Sequence, residues 1–287
     1  MWLWLLACGT EAPKSAPIPD PGCWDDLALG DVAVVSTGFM DGTEGLTFSD
    51  GRLYVGTDTE VFELLPDGTP RLVWENDHVL GLAADGAALL VADQGEFSMG
   101  GDADGEIWAL SPDGQANLRS DGWSNPNFLL VTPWGTVLMA DDTEDVVVEL
   151  QADGTHSVWL EVPSPNGMVL SPDAGTLYVA STFVPDASVW SVAVSDGVAG
   201  PATLVGTTTA GGANDGVAIG PDAALWVAAN LAGELWRFTA ETAELRVSGL
   251  NSPASIQFGV APEFDPCSIY SSSLFGEDVV RVVAGPD

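Results

Sequence analysis

The sequence predicts an all-β chain folded as a six-bladed β-propeller, closed by an N-terminal strand that completes the last blade. Three observations carry this. One pattern of alternating apolar residues around an Asp, Gly or Pro turn recurs six times. A second hairpin signal follows most of these units. A lone apolar stretch, Asp31–Gly38, precedes the first unit and has no unit of its own.

The six units read EGLTFSDGRLYVG from Glu44, LGLAADGAALLVA from Leu80, NFLLVTPWGTVLMA from Asn127, NGMVLSPDAGTLYVA from Asn166, DGVAIGPDAALWVA from Asp215, and ASIQFG with CSIYSS from Ala254. Their starts lie 36, 47, 39, 49 and 39 residues apart, the length of a four-stranded blade. Outer strands are predicted at Glu60–Leu65 and Arg71–Glu75, Gly105–Leu110, Val146–Leu150 and Gly233–Phe238, with turn residues such as Pro66-Asp67-Gly68 where strands end. The sixth unit offers only Ala254–Phe258, Ser268–Ser273 and Asp278–Ala284. Asp31–Gly38 supplies the missing outer strand, which closes the ring and removes an open sheet edge. Residues 30–287 are thus the propeller and 1–29 a leader and tether.

Of the 287 residues, 46% are hydrophobic, enough for a large core, and 33 Gly and 19 Pro suit many short strands. Acidic residues number 42 against 7 basic, a net charge of −35. That surface repels phosphate backbones and anionic lipid, so nucleic acid is excluded as a partner. No apolar stretch is long enough for an ordinary transmembrane helix. Met1 to Cys8 reads MWLWLLAC, and Leu5-Leu6-Ala7-Cys8 resembles a bacterial lipobox with Cys8 as the lipidated residue; a clipped signal peptide or a plain tail is the alternative. The other two cysteines, Cys23 and Cys267, would sit in the same blade after closure. A disulfide there ties the ends of the ring in an oxidising compartment; two buried free thiols are the alternative. The expected location is extracytoplasmic: periplasm, outer membrane or secreted.

Aligning the units places Glu44, Leu80, Asn127, Asn166, Asp215 and Ala254 just before the first strand of each. In a propeller the first strands line the central channel, so these residues converge on one level near one mouth. Singly, Asn and Asp there read as turn residues. Together, two carboxylates would repel unless a dication lay between them. Two carboxylates and two amide carbonyls form an all-oxygen set, which suits Ca²⁺ ahead of other divalent cations and, without His or Cys, disfavours zinc.

Thr43-Glu44-Gly45-Leu46, Asn125-Pro126-Asn127, Ser164-Pro165-Asn166-Gly167-Met168 and Asn214-Asp215-Gly216-Val217 resemble the SMP-30/gluconolactonase family, kin to paraoxonase-type propellers. The resemblance spans about residues 30–287. It implies calcium held by Glu44, Asn127, Asn166 and Asp215, hydrolysis of lactones or related esters, a small-molecule substrate, and Asp215 as the catalytic carboxylate. A monomer is expected. The chain departs from sugar-lactone members, which carry an Arg shortly before the position of Asn127; here Ser124 and Asn125 stand there. Of the two histidines, His78 lies close enough to Leu80 to be a candidate at the channel mouth, and Trp123 and Trp134, which flank the Asn127 segment, are candidate pocket walls. Segment Gln94–Glu106 is a candidate lid or second cation loop. The competing functional class is a non-catalytic NHL-like binding propeller, and a metal-free strictosidine-synthase-like propeller is a third.

Overall fold

The β-period of the apolar residues and the Asp-Gly turns between them produce strands throughout. The structure, a computed structural model, describes residues 22–24, 26–97, 103–141 and 143–285. Cys8 and the rest of the first 21 residues of the leader and tether lie outside the described residues, as does the middle of the Gln94–Glu106 segment.

Strand β1 (Val32–Thr37) leads into six antiparallel blades. The first holds β2 (Leu46–Ser49), β3 (Arg52–Gly56), β4 (Glu60–Leu64) and β5 (Pro70–Glu75). The second holds β6 (Val79–Asp85), β7 (Ala88–Asp93), β8 (Gly105–Leu110) and β9 (Ala116–Trp123). The third holds β10 (Leu129–Val131), β11 (Val137–Asp141), β12 (Val146–Leu150) and β13 (His156–Glu161). The fourth holds β14 (Pro165–Leu170), β15 (Thr176–Ser181), β16 (Ser188–Ser195) and β17 (Val198–Thr207). The fifth holds β18 (Asn214–Ile219), β19 (Leu225–Ala229), β20 (Glu234–Phe238) and β21 (Ala243–Ser248). The sixth holds β22 (Pro253–Phe258), β23 (Ser268–Ser273) and β24 (Asp278–Val283), and β1 pairs on its outer edge. The predicted fold and its closure are therefore both present. In the fourth blade Asp196 and Gly197 both take left-handed backbone, the geometry of a tight two-residue hairpin between β16 and β17.

Alternation sends successive side chains to opposite faces of each blade, and each face meets a neighbouring blade. In β3, Leu53 and Val55 pack toward the sixth blade with Phe264 and Tyr270, while Tyr54 packs toward the second with Val79, Leu82 and Val91. The other interfaces follow the same rule, Leu90 and Ile107 meeting Leu129 and Met139, for example. The core is thus a set of clusters between blades, arranged around the channel. Trp108, Trp190, Trp226 and Trp236 belong to these clusters.

Several contacts fasten the closing strand. Val32 pairs with Val282 and Ala33 with Arg281 across β1 and β24. Just before β1, the Trp24 backbone N–H donates to the buried Asp265 carboxylate at 3.2 Å. Arg281 lies over the Trp24 ring at 5.0 Å and pairs with Asp26 at 2.6 Å. Cys23 and Cys267 are joined by a disulfide, with Cα atoms 5.3 Å apart.

Candidate functional site

Each innermost strand departs from ladder pairing at the aligned position. Register breaks between Val79 and Leu82, Pro165 and Met168, Asn214 and Val217, and Pro253 and Ile256. Each break is a bulge that frees Leu80, Asn166, Asp215 or Ala254 from its partner strand and re-aims its side chain. Glu44 and Asn127 precede β2 and β10 by two residues and are held by backbone bonds, Glu44 N–H to Gly56 at 3.0 Å and Asn127 N–H to Ala140 at 2.9 Å. Two residues earlier, Gly42, His78, Ser164, Ala213 and Ser252 all take left-handed backbone, a shared kink that brings the chain from the rim into the channel.

The residue after the ring position is Gly in four units, and its reason is steric. A Cβ on Gly81 would overlap the Asn127 carbonyl oxygen, and one on Gly167 the Asp215 carbonyl oxygen. Neighbouring ring residues therefore approach backbone to backbone, which keeps the ring small.

Glu44, Asn127, Asn166 and Asp215 line one cavity of about 490 Å³. Leu80 shares its lining, as do Gln94, Thr182, Asn230 and Leu274, each of which directly follows the second strand of its blade. Asp215 is 5% exposed and accepts a hydrogen bond from Asn230 Nδ2 at 3.1 Å. Asn166 is 2% exposed, and its Oδ1 is buried with no hydrogen-bond partner. Burying an unpaired carbonyl is costly, so this atom fits a ligand that needs an oxygen. The half-buried Glu44 is anchored by its own carbonyl, which accepts from Ser272 Oγ at 2.6 Å. Among the described residues no three of His, Cys, Asp and Glu come together to hold a metal. The ring is a different kind of set, two carboxylates with two amides, all hard oxygen donors of the type calcium takes. Beneath the ring the channel continues as a cavity of about 370 Å³ lined mainly by apolar side chains such as Leu82, Met168 and Val217.

The remaining candidates lie elsewhere. His78 stands outside the cavity lining and faces Asp58 at 4.0 Å and Glu96 at 3.7 Å. Trp123 ends the outermost strand of its blade, buried against the His156 ring at 4.6 Å. Trp134 stacks with Trp159 and donates to Glu149 at 3.1 Å. Ala254 is fully buried. In the Gln94–Glu106 segment, Asp104 accepts from the Glu96 N–H at 3.3 Å. Nearby, burial raises the Asp93 carboxyl above the ordinary range, against opposing hydrogen bonds from the Gly95 N–H and the Asn76 amide.

Two groups of cavity residues escaped the sequence reading. Asn230 was hidden because it belongs to no repeat motif; its signal is a polar residue directly after a second strand. The rim residues Phe97, Phe183, Leu231 and Phe275 stand in the turns between second and third strands. Three of them fall two residues past the second strand, a position the unit alignment could have reached.

Solved structures share this architecture. A gluconolactonase from Xanthomonas campestris matches with a TM-score of 0.73 at 18% identity, over 88% of this chain and 89% of that one. Regucalcin from Agrobacterium tumefaciens, described as a calcium-binding protein, matches at 0.70 and 18%, over 91% and 98%. Virginiamycin B lyase from Staphylococcus aureus matches at 0.63 and 14%, over 88% and 99%. At these identities the likeness is one of fold. A sequence search of curated proteins finds no match. Residues 141–262, which include Asn166 and Asp215, match the family model described as SMP-30/Gluconolactonase/LRE-like region, so this part of the chain is similar to the family that the ring motifs resemble.

Proposed function

We propose that this chain is a calcium-dependent hydrolase of lactones or related esters, acting at the ring of Glu44, Asn127, Asn166 and Asp215. The observation that carries the reading is the buried, unpartnered Oδ1 of Asn166 in the same cavity as two carboxylates and a second amide. Glu44, Asn127, Asn166 and Asp215 would hold the cation. Once bound, it supplies Lewis-acid polarisation of an ester carbonyl and stabilises the developing oxyanion.

The chain's own residues supply the rest. Asn230 donates to one oxygen of Asp215 and holds the carboxylate in a fixed orientation. So held, Asp215 acts either by taking a proton from water or by attacking the carbonyl carbon directly. Gly81 and Gly167 leave room for the backbones of Asn127 and Asp215 to stand close to their neighbours in the ring. The proposal extends to compartment and assembly. The Cys23–Cys267 bond supports an oxidising, extracytoplasmic setting, with Cys8 as a lipid anchor and the propeller acting as a monomer.

The test is a panel of lactones and aryl esters assayed with and without chelator. Hydrolysis is expected to vanish on chelation, to return with calcium, and to fall at least about 100-fold in Asp215→Ala and Glu44→Ala. Activity that survives chelation and both substitutions defeats the proposal. Calcium binding without turnover on any substrate turns the reading toward a binding propeller.

A further inference from the structure

We infer that this cavity takes lactones or esters bearing an apolar substituent, an alkyl chain or aryl group, in preference to polyhydroxylated rings. The inference rests on the hydrolase reading of the cavity floor and adds the class of substrate.

The walls carry it. Phe183, Leu231 and Phe275 are 58%, 64% and 69% exposed, yet all line one mouth. They come from three different blades and occupy the same place in each, two residues past the second strand. Large apolar side chains left this open around a polar floor, on a chain of net charge −35, mark a surface built to meet an apolar group. The polar atoms are concentrated at the floor, with Gln94 and Thr182 beside them. Higher up, the described side chains that line this cavity are Phe97, Phe183, Leu231, Leu274 and Phe275, none of which hydrogen-bonds. The carboxylates of Asp41 and Asp58 belong to the adjoining pocket, which shares Leu274 and Phe275 as a wall, so the hydroxyls of a sugar ring seated between Phe183, Leu231 and Phe275 would lose water and gain nothing.

Charge points the same way. Among the described residues no Lys, Arg or His lines the cavity, and two carboxylates do. An anionic substrate would have no counter-charge from the protein. Ser124 and Asn125 stand where sugar-lactone members carry an Arg; neither lines the cavity, and Asn125 is 1% exposed and donates to Thr143 Oγ1 at 3.0 Å. A neutral head on the floor and an apolar tail between Phe183, Leu231 and Phe275 satisfy every group.

The experiment uses γ-lactones with unbranched alkyl chains of increasing length, glucono-δ-lactone as the hydroxylated competitor, and uncleavable 2-alkylcyclopentanones as binding probes. With calcium, kcat/KM is expected to rise about fourfold per added methylene until the chain outgrows the mouth. Cyclopentanone affinity, read by calorimetry, rises by a similar factor in both calcium-loaded and chelated protein, because the walls need no metal. Phe183→Ser combined with Phe275→Ser flattens both slopes, with thermal melts showing that the variant is folded. A flat slope in the wild type, or preference for the hydroxylated lactone, overturns the inference while leaving the hydrolase reading intact. A binding slope without turnover of any lactone sinks the hydrolase reading and keeps the apolar ligand. Flat slopes together with flotation on neutral phosphatidylcholine vesicles, lost in the double variant, overturn it in favour of a lipid-facing rim.

Discussion

Replacing Asn166 by Leu separates the two roles that its carbonyl oxygen plays. Leu keeps the branching of the side chain but removes Oδ1, the buried acceptor without a partner. In metal-free protein such an acceptor costs about 1–3 kcal/mol, and an apolar group of similar shape relieves that cost. For a domain of this size the relief is worth roughly 2–6 °C in Tm. On the proposed function, calcium would reverse the comparison. At one hundred times its Kd, calcium would stabilise the wild type by about 2.7 kcal/mol. Losing one oxygen and about a hundredfold in affinity leaves the variant about 0.4 kcal/mol of that gain at the same calcium concentration. The assay is a pair of thermal melts, in chelator and in calcium, for each protein. Asn166→Leu is expected to be the more stable in chelator and to lose that rank, or nearly all of its lead, in calcium. Equal calcium gains in the two proteins would remove Asn166 from the metal shell. A Leu variant less stable in chelator would refute the argument from the unpaired oxygen.

Two further predictions come from the ring's surroundings. Gly81→Ala forces a methyl against the Asn127 carbonyl, so stability should fall by about 1–3 kcal/mol, on the order of 5 °C, and lactone hydrolysis should fall with it. Activity kept at wild-type level would mean that Asn127 is not held by this contact. Asp93 has a carboxyl raised by burial, so its favourable contribution belongs to the protonated form: it is present below the unfolded-state pKa and lost as pH rises through the folded one. Asp93→Asn should therefore gain in Tm relative to the wild type as pH rises from about 3 to 7; a difference that does not change with pH refutes this.

Much of the molecule was legible because the same local rules act six times. Asp-Gly and related turns mark where each hairpin folds, and alternation marks which side chains enter the interfaces between blades. The predicted strands Gly105–Leu110, Val146–Leu150 and Ser268–Ser273 recur with those bounds in the structure. The ring was legible for a second reason: three of its four oxygen-bearing residues, Glu44, Asn166 and Asp215, precede glycines that the fold needs for close approach, so polar residues and packing left their marks side by side. The rim was harder to see. Phe183, Leu231 and Phe275 share one place two residues past the second strand, just beyond the apolar pattern that defines each unit, and Phe97 sits in the insert of the second blade and does not align. Trp123 illustrates the limit of sequence distance. Only four residues separate it from Asn127, but in that span the chain crosses from the outermost strand of one blade to the channel strand of the next. His78 lies two residues from Leu80, but it sits in the left-handed kink and faces Asp58 and Glu96.

The fastening of β1 to β24 also governs when the site can exist. Glu44 belongs to the first blade and Asp215 to the fifth, and the sixth blade stands between them with one strand borrowed from the other end of the chain. The pairing that completes it joins residues as far apart as Cys23 and Cys267, a sequence separation of 244. Contacts this remote come late in folding, because the loop must close before they give any return. Until then the blades have no fixed ring to bring four oxygen donors to one level. On the proposed function, acquisition of the cation would be coupled to the last topological event, and a chain that stalls before closure would carry open strand edges and no site.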